Sequence, residues 1–278
     1  MSLLDQPVWR VIDQSTLGSG FDGRQSFAID DAICQSVGAG DSPSTARLWV
    51  HHQTVMLGIQ DTRLPHFKDG LTALRDAGFK AIVRNSGGLA VVLDSGVLNL
   101  SLIFSEKTRP LSIDEAFQAM VAFIKKMLTS FGITFEIGEI EHSYCPGRYD
   151  LSSNGRKFAG ISQRRVKNGV AVQLYLCISG SGSSRAQLIR EFYQRGLQNE
   201  HTRFVYPNID PAVMASLEEI CGQSLDMQAM VNAALQTLHS LGPIISAPSL
   251  SHEETQQFGA YYERMIRRNE GALGTQSL

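Results

Sequence analysis

Cys145 lies in the stretch Ser143-Tyr144-Cys145-Pro146-Gly147, twelve residues before Lys157. A cysteine among proline and glycine is held out of regular structure, where a substrate can reach it. The thiolate is the nucleophilic form of a thiol, and an ammonium close by favours it. The run from Arg148-Tyr149-Asp150 into Gly155-Arg156-Lys157-Phe158-Ala159-Gly160 can turn back and bring Lys157 to Cys145. That pair points to acyl transfer through a thioester. Cys34, Cys177 and Cys221 fall in a helix middle, a strand middle and at a helix end, and read as small buried hydrophobes. His142 lies three residues from Cys145 and is a candidate base in a Cys–His scheme. On spacing alone it reads as an ordinary polar residue, as do His51 and His52.

Three further stretches carry polar groups suited to a site. In Arg84-Asn85-Ser86-Gly87-Gly88-Leu89 the paired glycines let backbone approach a ligand, and Arg84 suits an anionic or carbonyl oxygen. The stretch matches neither a phosphate loop nor a dinucleotide fingerprint, so spacing alone gives a Gly-Gly turn with a surface arginine. Asn99 alternates with apolar neighbours in Gly96-Val97-Leu98-Asn99-Leu100-Ser101. It reads equally as a ligand contact or a cross-strand hydrogen bond. Arg156, Arg164 and Arg165 read as a solvated basic hairpin, or as a face that receives an acidic partner.

The elements that must hold these residues follow from periodicity and caps. Helices are predicted over 22–37, 71–77, 113–131, 184–197, 225–241 and 252–268, with capping boxes at Ser112/Glu115 and Ser251/Glu254. Asp210-Pro211 caps another helix start. Strands are predicted over 46–52, 54–60, 80–84, 90–93, 97–104, 133–140, 157–166 and 170–178. Asn168-Gly169 marks a hairpin between the last two, and 242–248 reads as a linker. Strands come first and helices dominate from about 205, which argues α+β rather than a doubly wound sheet.

The 278 residues suffice for a sizeable core. With 43% hydrophobic and 19% charged residues and a net charge of −2, a general nucleic-acid binder is disfavoured. No apolar run approaches the ~20 residues of a membrane span. The start, Met1-Ser2-Leu3-Leu4-Asp5-Gln6-Pro7, has no basic region before an apolar stretch, so no signal peptide is expected. The four cysteines are irregularly spaced, with no Cys-x-x-Cys pair and no histidine cluster for zinc. A cytoplasmic protein with reduced thiols and no metal is the expectation.

Taken in chain order, Arg84-Asn85-Ser86-Gly87-Gly88, Gly96-Val97-Leu98-Asn99-Leu100-Ser101 and Tyr149-Asp150-Leu151 leading to Gly155-Arg156-Lys157-Phe158-Ala159-Gly160-Ile161-Ser162-Gln163-Arg164-Arg165 resemble the biotin/lipoate protein ligase catalytic-domain family. The resemblance spans most of residues 45–180. It implies a mixed, largely antiparallel sheet flanked by helices and an acyl tunnel under the Arg-Gly-Gly loop. It divides the chain into an N-terminal helix and loop (1–44), a catalytic core (45–204) and a helical C-terminal extension (205–278). Cys145 and Lys157 become the catalytic residues, with Arg84, Ser86, Gly87, Gly88, Asn99, Asp150 and Gly160 around the substrate.

Cys145 sorts the branch. ATP-dependent ligases of the family make an adenylate and need no cysteine nucleophile. The cysteine-dependent octanoyltransferases of Gram-positive bacteria carry theirs ahead of the Gly-Lys stretch, where Cys145 lies. The other octanoyltransferase branch places its cysteine well after the lysine, and Cys177 sits in no matching loop. The family's usual Arg-Arg-x-Gly-Gly-Gly is here Arg84-Asn85-Ser86-Gly87-Gly88-Leu89, a departure that favours transfer over ligation. The resemblance thus implies transfer of octanoyl, without a cofactor, from an octanoyl-lysine of the glycine cleavage H protein. The acceptors would be lipoyl domains of 2-oxoacid dehydrogenase subunits. An acyl carrier protein donor, an ATP-dependent ligase and a non-catalytic binder remain the alternatives.

Overall fold

Val97–Ser105 is a nine-residue strand whose alternation decides the architecture. Leu98, Leu100, Leu102 and Phe104 enter one apolar core, while Asn99, Ser101 and Ile103 turn to the opposite face. A sheet with two buried faces needs helices on both. The computed structural model, which describes residues 2–274, shows that arrangement.

In chain order the first half holds β1 (Trp9–Gln14), α1 (Gly23–Ala39), β2 (Thr45–Val50), β3 (Thr54–Leu57), α2 (Phe67–Asp76), β4 (Lys80–Val83), β5 (Val91–Leu93) and β6 (Val97–Ser105). The middle holds α3 (Ile113–Thr129), β7 (Glu136–Ile137), β8 (Leu151–Ser153), β9 (Arg156–Val166), β10 (Gly169–Cys177) and α4 (Gly182–Leu197). Then come α5 (Leu217–Cys221), α6 (Met227–Leu241), β11 (Ile244–Ser246) and α7 (His252–Leu273). A large sheet runs β11-β1-β2-β6-β10-β9-β8-β7 and a small one β4-β3-β5. In the large sheet only the β11–β1 and β1–β2 pairs are parallel. The α+β reading with a largely antiparallel sheet therefore holds.

Helices α3 and α6 cover the Leu98–Phe104 face through Met120, Phe123, Met230 and Leu238. Helix α1 covers the other face with Ile29, Ile33 and Val37, and α7 lies over α1. The small sheet packs its Val55, Leu57, Val83 and Val92 with Leu74 of α2 and Phe192 of α4.

The expected hairpin between β9 and β10 is present, but its centre is Lys167-Asn168, at φ 49° and 63°, and Gly169 already pairs with Val166. Two positive φ values make the turn that matches strand twist. The tight links after β2 and β5 are not hairpins, because β2 and β6 belong to the large sheet and β3 and β5 to the small one. Of the strand predicted over 133–140, only Glu136–Ile137 pairs. Ser112 caps α3, but Glu115 turns to Arg109 instead of closing a capping box. The Ser251/Glu254 box is complete. Asp210-Pro211 starts only the single turn Pro211–Val213. Strand β1 was not predicted, nor was β11, which lies inside the predicted linker and pairs with β1 through Trp9 and Ile244. Pro243 immediately precedes β11, a position where a sheet edge tolerates proline.

Under α1 the sheet is polar and centred on Asp30. Asp30 accepts from Arg47 Nη1 at 2.8 Å, Ser101 Oγ at 2.6 Å and Gln173 Nε2 at 2.6 Å. Arg47 also donates to Ser26, whose Oγ lies 2.9 Å from His51 Nε2. His51 Nδ1 lies 3.2 Å from the Phe21 carbonyl, which can only accept, so Nδ1 carries a proton. Burial, helped by Arg47, pushes His51 down from 6.5 to about 4. Its contribution to stability is fully present above pH 6.5 and is lost as pH falls to about 4. The loss amounts to about 3 kcal/mol. Asp61, pushed up to about 6 by burial, works with the opposite sign below that pH. The difference between wild type and His51→Gln therefore isolates the histidine. Urea unfolding across this pH range should show wild type losing stability relative to His51→Gln as pH falls, and parallel curves would contradict the assignment.

Candidate active site

Two loops from different sheets meet at one cavity. The first joins β4 to β5 and carries Arg84 to Ala90. Its entry is pinned by Asn269 of α7, whose side chain accepts from Val83 N at 2.7 Å and donates to Val83 O at 3.2 Å. That amide completes the open edge of β4 as a neighbouring strand would. Arg84 Nη2 donates across the loop to Leu89 O at 2.7 Å. Behind the loop the buried Asp61 accepts from Gly58 N at 2.7 Å and Tyr193 OH at 2.8 Å. Gly88 sits at φ 97°, a conformation that favours glycine.

The second loop joins β7 to β8 and carries Cys145 at φ 46°. The sulfur receives Leu89 N–H at 3.1 Å and Arg84 Nη2 at 3.4 Å. Lys157, at the start of β9, is fully buried beneath this loop. Its Nζ contacts Asp150 Oδ2 at 2.9 Å, Tyr144 O at 2.9 Å and Cys145 O at 2.8 Å. An ammonium has three N–H donors, and these short contacts, with a longer one to Ser143 Oγ at 3.4 Å, take them up. Nζ thus bonds the backbone of the loop that presents the sulfur. Asp150 also accepts from Gly147 N at 3.0 Å, which closes the loop. Burial pushes the Asp150 carboxyl up, against the pull of Lys157.

The cavity between the loops measures about 280 Å³, near the lower end of ligand pockets. Phe27, Trp49, Met56, Val91, Leu93 and Leu174 make it apolar. Of the residues singled out in the sequence, Arg84, Gly87, Gly88, Asn99, Cys145, Asp150 and Gly160 line it. Asn99 fits both readings, since its side chain also donates to Trp49 O at 3.3 Å. Gly160 leaves room for Tyr175: a Cβ there would lie 2.5 Å from the tyrosine ring. Ser86 is buried beside the cavity without lining it. His142 turns away to Asn208 O at 2.9 Å. The buried Cys34 and Cys177 fit their reading, whereas Cys221 is partly exposed. Leu89 N–H was missed, because a backbone donor belongs to every residue type and leaves no mark in a sequence. Tyr144 and Tyr175, stacked at 6.0 Å, were also missed.

Residues 22–239 match the lipoyl protein ligase A/B catalytic domain. The chain belongs to this family. It is 54% identical over 271 residues to an octanoyl-[GcvH]:protein N-octanoyltransferase of Geobacillus kaustophilus, covering 98% of this chain and 96% of that one. It is 47% identical to a lipoyl-[GcvH]:protein N-lipoyltransferase of Listeria monocytogenes, covering 98% of each. A lipoate-protein ligase A crystallised with ATP has the same fold at 17% identity, with a TM-score of 0.73 over 95% of this chain and 98% of that one.

A Cβ on Gly88 would lie 2.5 Å from Arg84 Nη2 and 2.8 Å from Cys145 Sγ. Gly88→Ala should keep the fold but displace both groups. A misplacement of about 1 Å costs on the order of 10²-fold, so acyl-enzyme formation should fall by that factor. Single-turnover acylation followed by intact mass measures it, and a wild-type rate would refute the role of the contact.

Proposed function

We propose that this chain moves an octanoyl group from an octanoyl-lysine of the glycine cleavage H protein to lysines of lipoyl domains, through a thioester on Cys145. It is an acyltransferase of protein lipoylation. The observation that carries the mechanism is Cys145 Sγ in the wall of an apolar cavity, with Leu89 N–H at 3.1 Å and Arg84 Nη2 at 3.4 Å.

The sulfur attacks the carbonyl carbon of the donor amide. The C–N bond breaks, an S–acyl bond forms, and the thiol proton ends on the released lysine amine. The acceptor amine then attacks the thioester, the C–S bond breaks, and one amine proton returns to sulfur. Charge passes from sulfur to the carbonyl oxygen as the first tetrahedral intermediate forms, and from that oxygen back to sulfur as the second collapses. Donors already aimed at the sulfur are placed to follow that charge over a short path. Lys157 acts as a positioning residue, since it reaches the sulfur only through the loop backbone.

Amide-to-amide exchange is close to neutral overall and needs no nucleotide. Forming the thioester from an amide is uphill. Burying the octanoyl tail, at about 0.8 kcal/mol per CH₂, offsets several kcal/mol of that rise. The cavity is the element that makes an amide donor usable.

Purified protein mixed with octanoylated H protein and an unmodified lipoyl domain, without ATP, should transfer the acyl group, with an acyl adduct on wild type. Cys145→Ala should form no adduct and transfer nothing. An adduct from octanoyl-acyl carrier protein alone would reassign the donor. Activity that requires ATP and survives Cys145→Ala would replace transfer with ligation.

A further inference from the structure

A second cavity, about 690 Å³, shares the Arg84 loop with the acyl cavity: Asn85 lines it, whereas Arg84, Gly87 and Gly88 line the other. Arg63, Arg164, Arg264, Arg267 and Arg268 also line it. The three α7 arginines follow i, i+3, i+4 spacing and share a helix face. Asp31 is the lone carboxylate among the lining residues. It is already engaged by Arg164 at 2.9 and 3.0 Å and by Asn85 Nδ2 at 2.9 Å. Among the described residues Arg63, Arg264 and Arg268 make no ion pair, and Arg267 only a 3.7 Å contact with Glu263. The groove therefore carries surplus positive charge.

Its composition indicates the kind of occupant. Arg63, Arg264, Arg267 and Arg268 are exposed, and Ile59, 49% exposed, stands in the same groove. Arginines around an apolar anchor suit a protein surface rather than a small anion, and the charge calls for carboxylates opposite. The groove is also held in register with the thiol. Asn269 of α7 ties the arginine-bearing helix to Val83, next to Arg84, and Arg84 reaches Cys145 Sγ.

We propose that this groove docks an acidic protein face surrounding the acyl-lysine. The proposal rests on the transferase reading above. One thiol serves donor and acceptor in turn, so both proteins use the groove in successive half-reactions.

The test compares wild type with Arg264→Glu/Arg268→Glu, and with Ile59→Ser in case the double reversal folds poorly. Two donors are used: octanoylated H protein, and the small thioester S-octanoyl-N-acetylcysteamine. KM for the H protein should rise by about tenfold or more in the double variant, with kcat unchanged. Acylation by the small thioester should be unchanged, and added salt should weaken wild-type transfer more than the variant's. An unchanged KM in both variants overturns the groove and leaves the transferase reading intact. Variants that fold but lose small-thioester acylation also overturn it, because the side chains then act on the site and not on a partner. A wild type that accepts the small thioester but never the H protein overturns the transferase reading, and the groove with it.

Discussion

A fully buried ammonium must have its charge and all its donors met inside the protein, and Lys157 does so with one loop. Asp150 supplies the opposite charge, and the Tyr144 and Cys145 carbonyls supply the remaining acceptors. Removing either charge would strand the other, a cost of about 3–5 kcal/mol for pairs of this kind. Two successive carbonyls aimed at one point leave the chain little freedom. Cys145 accordingly adopts φ 46°, unfavourable for a residue with a Cβ. The side chain is thereby turned toward the opposite loop, where Leu89 N–H and Arg84 receive it.

That opposite loop belongs to another structural unit. Cys145 and Lys157 are held by the large sheet, while Arg84 and Leu89 follow from the small one. The cavity beside Cys145 is the seam between the sheets, with Trp49, Leu174 and Tyr175 from one and Met56, Val91 and Leu93 from the other. The relative placement of the sheets therefore sets both cavity shape and sulfur environment. Three ties fix it: Asn269 on Val83, Tyr193 on Asp61, and the Asp30 network that locks α1 to β2, β6 and β10.

Periodicity and caps were enough to read the central elements. Strands β6, β9 and β10 alternate or carry turn signals, and α1, α3 and α7 have readable starts. The edge of the large sheet was not legible. β1 is short and lacks a clear polar alternation, and β11 is three residues long beside Gly242-Pro243. Pairing of such edges is decided by the rest of the sheet and not by local preference. At the site, residue types were legible and their bonding was not. Spacing brought Lys157 to the Cys145 loop correctly, yet gave no sign that its protons go to carbonyls and Asp150 instead of sulfur. Asn99 was ambiguous because a cavity-lining strand residue can serve its neighbour strand as well.

The most direct measurement is hydrogen exchange of the amides in residues 143–150 in Lys157→Met/Asp150→Leu, a pair chosen to leave no unpaired buried charge. Gly147 N–H loses its Asp150 acceptor through the substitution itself. The readout is therefore the backbone bonds of Ser143 N–H to Ile140 O and residue 150 N–H to Gly147 O. If Lys157 shapes the loop, their protection should collapse along with Cys145 acylation while the rest of the protein stays folded. Protection retained in that segment while acylation disappears would mean that the lysine acts on the chemistry itself, and the positioning role would be wrong.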